Sequence, residues 1–211
     1  MHAISALGLS KAFRGTPVLR DVDLTVEHGE SIGLSGPNGS GKSVLFKLLV
    51  GFMRPDAGEV TIDPALMGPG RKYPESFGVM INSPGFLGHL SAADNLRELA
   101  HIRRVADEAR VRETLEAVGL DPTSSTKAKN FSLGMKQKLG IAQAILERPR
   151  VLLLDEPFNA LDQSSAERIT GLLRDFSSDG GTLLMTSHRS EDLEALTQRR
   201  LRIDDARVVE A

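Results

Sequence analysis

The sequence predicts an α/β fold: a mixed-sheet core, an antiparallel β edge, and an inserted helical stretch of about residues 83–147. Three observations predict it. Apolar runs of strand length crowd the N-terminal third, strand and helix patterns alternate after residue 148, and between them the periodicity is helical. The core is therefore expected from residues 1–82 and 148–211 of one domain, with the helical subdomain threaded into it.

Taken in order, "AISALGLS" and "VLRDVDLTV" alternate or cluster apolar residues and read as strands, and "SIGLSG" is a short buried run ending in Gly. "GKSVLFKLLVGF" has helical spacing, punctuated by Gly51 and Pro55. "GEVTI" (58–62) and "FGVMI" (77–81) are strands parted by the Pro/Gly-rich "DPALMGPGRKYPES". From Ala92 the helical segments are "AADNLRELAHIRR" and "EARVRETLEAVGL", the second stopped by Gly119 and Pro122. "MKQKLGIAQAILE" is a further helix, ended by "RPR". Strand "VLLLD", helix "SAERITGLLRDFSS", strand "TLLMTS" and helix "SEDLEALTQ" follow, then the short strands "RLRID" and "RVVEA". Ala206 stands where a two-residue type I′ hairpin favours Gly, which predicts a longer or looser turn there.

Composition narrows the function classes. With 26 basic and 28 acidic residues the net charge is −2, so no broadly basic surface for nucleic acid is expected. Arg103, Arg104 and the "RRLR" run read as solvated charge, and His2, His28, His89 and His101 are too scattered for a metal constellation. There is no Cys, which rules out disulfides and thiolate metal sites and suits a reducing compartment. The start "MHAISALGLSKAF" lacks the pattern of a signal peptide. "SVLFKLLVGFM" is broken by Lys47 and too short to span a bilayer, so a membrane role has to come through a partner. No repeat or low-complexity tract is visible, and no regulatory domain is expected beyond Ala211.

The chemistry concentrates in three stretches. "GPNGSGKS" (Gly36, Pro37, Asn38, Gly39, Ser40, Gly41, Lys42, Ser43) fits the phosphate-loop pattern between a strand and a helix. Its glycines let successive N–H groups face phosphate oxygens, Lys42 neutralises the β- and γ-phosphates, and Ser43 offers a hydroxyl to Mg²⁺. "VLLLDEP" ends a buried strand in two carboxylates: Asp155 to reach Mg²⁺, directly or through water, and Glu156 to act as base on the attacking water. "FSLGMKQKLG" places Ser132 at a helix start, where a hydroxyl and free N–H groups make an anion site.

In this order and spacing the motifs resemble the nucleotide-binding subunit of an ABC (ATP-binding cassette) transporter over nearly the whole chain. "SLGMKQ" (132–137) resembles the cassette signature, "NALD" (159–162) the loop after the second carboxylate, and His188 in "TSH" the switch histidine. "LVGFMRPDAGEV" matches family phrasing. The Ser-Leu-Gly-Met signature and "SPGF" (83–86) are most similar to cassettes of the multidrug and antimicrobial-peptide export group, which work with a separate permease.

The resemblance implies an ATPase with ATP and Mg²⁺, paired with a second cassette and an integral-membrane permease, peripheral on the inner membrane face. It also implies that Ser132 and Gly134 close over ATP held by the partner cassette. Phe13 lies where cassettes stack an aromatic on adenine, or else is a core aromatic. Asn82 stands where the family has a Gln that reaches Mg²⁺; it offers the same amide chemistry on a side chain about 1.5 Å shorter. Asn159 replaces the commoner Ser of its loop. The alternative is a soluble cassette in DNA repair or translation, although the coiled-coil insertion or second cassette usual there is absent. A kinase or GTPase is opposed by the signature and "TSH" segments and by the lack of N-K-x-D. The transported substrate is not legible, since it belongs to the permease.

Overall fold

In the computed structural model, which describes residues 2–71, 73–82 and 85–211, the N-terminal strands divide between two sheets. β1 (Ile4–Phe13) and β2 (Thr16–Val26) form a hairpin. β3 (Ser31–Ser35) and α1 (Lys42–Leu49) intervene before β4 (Ala57–Ile62), which returns to pair with β1. The result is a three-stranded antiparallel sheet of order β2-β1-β4. The second sheet is built from β3, β5 (Phe77–Met80), β6 (Val151–Leu154), β7 (Thr182–Thr186), β8 (Arg199–Asp204) and β9 (Arg207–Glu210). Its order is β5-β6-β7-β3-β8-β9, parallel throughout except for the final β8–β9 pair.

Three helices run between β5 and β6: α2 (Ala92–Arg103), α3 (Glu108–Ala117) and α4 (Leu133–Ile145). α5 (Gln163–Ser178) connects β6 to β7, and α6 (Ser190–Leu196) leads to β8. A parallel strand is covered on both faces, so its sequence loses the polar alternation of an edge strand. β6 shows why "VLLL" is apolar at every position. Val151 and Leu153 pack with α1 and the antiparallel sheet, while Leu152 and Leu154 join the core under α2, α4 and α5.

The approach of α4 to this sheet depends on Gly78 in β5. A Cβ there would stand 2.0 Å from the Ala144 carbonyl oxygen and 2.7 Å from Leu152 Cδ2. Gly78→Ala is expected to destabilise the fold by about 1–3 kcal/mol through overpacking, read as a lower urea midpoint at unchanged slope. An unchanged midpoint would show that α4 can shift away at no cost.

Two expectations are corrected. The β8–β9 turn is neither long nor loose: Asp204 pairs with Arg207, and only Asp205 and Ala206 close it, at φ of 42° and 62°. Both positive values are what a type I′ turn needs. Tertiary contact holds an alanine in that conformation, because the Ala206 carbonyl accepts the Arg20 N–H at 2.8 Å. Nor are Arg103 and Arg199 free charge. Arg103 donates to Glu147 Oε2 and to the Glu75 carbonyl, each at 2.7 Å, tying α2 to the segments before β5 and after α4. Arg199 pairs with Glu30 and Glu210.

Candidate active site

Because β3, β7 and β6 are neighbours and parallel, their carboxyl ends open at one edge of the sheet, where such folds bind ligands. The phosphate-loop residues follow β3, Asp155 and Glu156 follow β6, and His188 follows β7. They enclose a cleft of ≈ 280 Å³ lined by Phe13, Val18, residues 38–44, Asp155, Glu156 and His188.

The loop has the backbone that its glycines foretell. Gly36, Gly39 and Gly41 take φ of 145°, 80° and 109°. At Gly41 a side chain is also excluded by space, since a Cβ would lie 2.8 Å from Val18 Cγ1 and 3.0 Å from the Val18 carbonyl. No side chain caps α1 among the described residues, which leaves its first N–H groups for an anion. The Ser40 hydroxyl is buried with no hydrogen-bond partner among the described residues. Lys42 Nζ is curled into the loop, donating to the carbonyls of Gly36 at 2.7 Å and Pro37 at 3.2 Å. An orphaned hydroxyl and a buried ammonium hydrogen-bonded to loop carbonyls suit a phosphate group.

Ser43 Oγ donates to Asp155 Oδ2 at 2.5 Å, joining α1 to the end of β6. Asp155 Oδ1 accepts from Thr186 Oγ1 at 2.8 Å, and that same hydroxyl accepts the Glu156 N–H at 2.8 Å. Thr186, fully buried at the end of β7, thus holds both acidic residues. The sequence reading missed it. Its one signal was a hydroxyl residue closing the apolar run Leu183–Met185 beside the "SH" pair.

Glu156 sits at φ 54° with its side chain largely buried. Burial pushes its carboxyl above the ordinary carboxylate range, and the nearby His188 and Lys42 charges only partly offset this. His188 Nε2 stands 3.0 Å from Oε1 and Lys42 Nζ stands 4.0 Å from it. Neither is aligned as a hydrogen bond: Oε1 is a buried acceptor with no directed partner among the described residues.

The remaining expected residues divide. Phe13 is 44% exposed at the mouth of the cleft, so it is not a core aromatic. Asn82 reaches Asp155 through its backbone, N to Oδ2 at 3.3 Å, and its side chain is exposed. Its φ of 59° supplies a separate reason for Asn, which tolerates the left-handed region. Ser132 caps α4 by accepting the Met135 N–H at 3.2 Å. Neither Ser132 nor Gly134 lines the cleft of its own chain. A Cβ on Gly134 would lie 2.7 Å from the Ala160 carbonyl, so the first turn of α4 rests on the "NALD" segment. Of "SPGF", Ser83 and Pro84 lie outside the described residues.

A family described as "ABC transporter" matches residues 19–159, from within β2 through the phosphate loop and the paired carboxylates. The chain belongs to the ABC transporter family. Among curated proteins, this cassette is 37% identical over 205 residues to the uncharacterized ABC transporter ATP-binding protein YybJ of Bacillus subtilis (strain 168), covering 97% of the chain and 94% of that protein. It is 32% identical to the lantibiotic transport ATP-binding protein SrtF of Streptococcus pyogenes, over 89% of the chain and 81% of SrtF. It is 34% identical to the bacitracin transport ATP-binding protein BcrA of Enterococcus faecalis, over 92% of the chain but only 64% of BcrA. A solved ATP-binding subunit of an ABC transporter superposes with a TM-score of 0.87 at 28% identity, over 98% of this chain and 88% of that one. The dimeric cassette MJ0796, in a post-hydrolysis state bound to ADP and Pi, shares the fold at a TM-score of 0.86 and 23% identity, over 98% of each chain. This ABC cassette is accordingly an ATP-binding, ATP-hydrolysing subunit.

Proposed function

We propose that this cassette holds Mg·ATP in the cleft at the carboxyl edge of its parallel sheet, hydrolyses it when a second cassette closes over it, and so powers an integral-membrane permease. The observation that carries this reading is the convergence of Lys42, the Ser43–Asp155 pair and Glu156 on one cleft from two different strand ends. No helix among the described residues is long and apolar enough to cross a membrane, which fits a subunit bound peripherally, through its permease, on the cytoplasmic face. Relatives named for lantibiotic and bacitracin transport favour export of a drug-like or peptide substrate over a non-transport cassette.

In this reading the N–H groups of residues 36–43 cradle the phosphates, and Lys42 exchanges its loop carbonyls for β- and γ-phosphate oxygens. Phe13 stacks on the adenine. Ser43 and Asp155 would hold Mg²⁺, with Asn82 beside them. Two hard oxygens already in contact, one a hydroxyl and one a carboxylate, fit that ion's preference for oxygen ligands. Bound there, Mg²⁺ would draw charge from the phosphate oxygens. Glu156, its basicity raised by burial, accepts the proton of the attacking water, and His188 donates a ring N–H toward the γ-phosphate. Ser132, Gly134 and the adjoining N–H groups serve the partner's γ-phosphate as a preorganised anion site, and the helical stretch of about 83–147 is the subdomain that presents them.

Lys42→Ala tests the cleft. It removes a charged partner of the phosphates, worth about 1.5–3 kcal/mol, so the Kd for ATP should rise roughly ten- to hundredfold in a fluorescent-nucleotide titration. Unchanged affinity would place the nucleotide elsewhere.

A further inference from the structure

Gln137 lies on the buried side of α4 and donates through Nε2 to the Glu156 carbonyl at 2.7 Å. That carbonyl belongs to a residue in the left-handed region, which a non-glycine residue keeps only when its surroundings hold it. The peptide groups around Glu156 are held at two points. Its N–H is fixed by Thr186 Oγ1, and its carbonyl by Gln137 and by the Asn159 N–H at 3.2 Å. The first anchor comes from β7 and the third from the same loop. Only Gln137 comes from α4, just over one turn from that helix's exposed, Ser132-capped N-terminus.

We infer that Gln137 is a positioning residue for the base: it makes the aim of the Glu156 carboxylate depend on the seating of α4. The separation along the helix from Ser132 is five residues, about 7.5 Å at 1.5 Å per residue. A rigid helix over that span transmits a shift of its N-terminus directly to the Glu156 carbonyl. Gly134, packed on the Ala160 carbonyl, gives the same helix a second contact with the loop that follows Glu156. This rests on the dimer reading above: an anion engaged at one cassette's Ser132 would be felt at that cassette's own Glu156, coupling the two nucleotide sites through one hydrogen bond.

The test compares Gln137→Met, which keeps length and apolar volume but has no donor, with Gln137→Lys, which keeps a long donor. Steady-state ATP turnover, ATP-binding stoichiometry and melting temperature are measured for each. The expectation for Gln137→Met is a kcat lowered about ten- to hundredfold with KM within about twofold, as for a misaimed catalytic group. ATP-binding stoichiometry and melting temperature should match the parent, and Gln137→Lys should recover most of the lost kcat. A Met variant as fast as the parent overturns the inference. So does a slow Met variant whose binding stoichiometry or melting temperature falls in step, because that is loss of folded enzyme rather than of aim. A Lys variant as slow as Met overturns it too. If the parent turns over no ATP, the functional reading fails and this inference with it, whereas an active parent beside an equally active Met variant sinks the inference alone.

Discussion

Glu156→Gln is expected to keep ATP binding and lose hydrolysis by about 10²–10⁴-fold, the usual effect of removing a general base. Phosphate contacts come from the loop and Lys42, so Kd should stay near that of the parent, and turnover measured at saturating ATP isolates the base. A variant that hydrolyses ATP at parental rates would remove Glu156 from the mechanism. The same substitution should alter stability in a pH-dependent way. Burial raises the Glu156 carboxyl above its ordinary 4.5, so the folded chain holds a proton that the unfolded chain has already released. Ionising it therefore costs stability as pH rises from about that value, and the full cost is present above the raised folded value. Gln carries no such cost. The variant should melt higher than the parent at neutral pH, and the gap should close as pH falls toward 4.5. A lower melting point at neutral pH would mean that the attraction of Lys42 and His188 outweighs burial.

In the Glu156→Gln background, unhydrolysed ATP should hold two cassettes together, and adding Ser132→Arg should abolish that dimer. Ser132 is exposed at the α4 N-terminus and lies outside its own chain's cleft, so a bulky cation there leaves binding to Gly36–Ser43 untouched. What it blocks is approach to the partner's nucleotide. Light scattering with and without ATP should show the dimer for the single variant and monomers for the double, with equal nucleotide affinity in both. An ATP-dependent dimer that survives Ser132→Arg would separate the signature from the partner's phosphate.

The sequence alone determined the phosphate loop, because that device is local. Eight consecutive residues, three of them glycines, carry both the backbone path and the groups that meet phosphate. It also determined the buried parallel strands, whose unbroken apolar runs have few other uses, and the helix cap at Ser132. Only the tertiary structure decided which distant groups meet. Ser43 and Asp155 are 112 positions apart, and they touch because β3 and β6 flank β7 in the sheet, an order no local pattern encodes. The same holds for Thr186, whose two bonds depend on β7 lying beside β6 in the sheet, and for Gln137, whose polar end is buried under a loop 19 positions away. Backbone conformations imposed from outside were equally illegible. Ala206 and Glu156 occupy the left-handed region against their own preference because a neighbouring strand or helix bonds to their carbonyls, and that energy lies in the partner rather than in the residue.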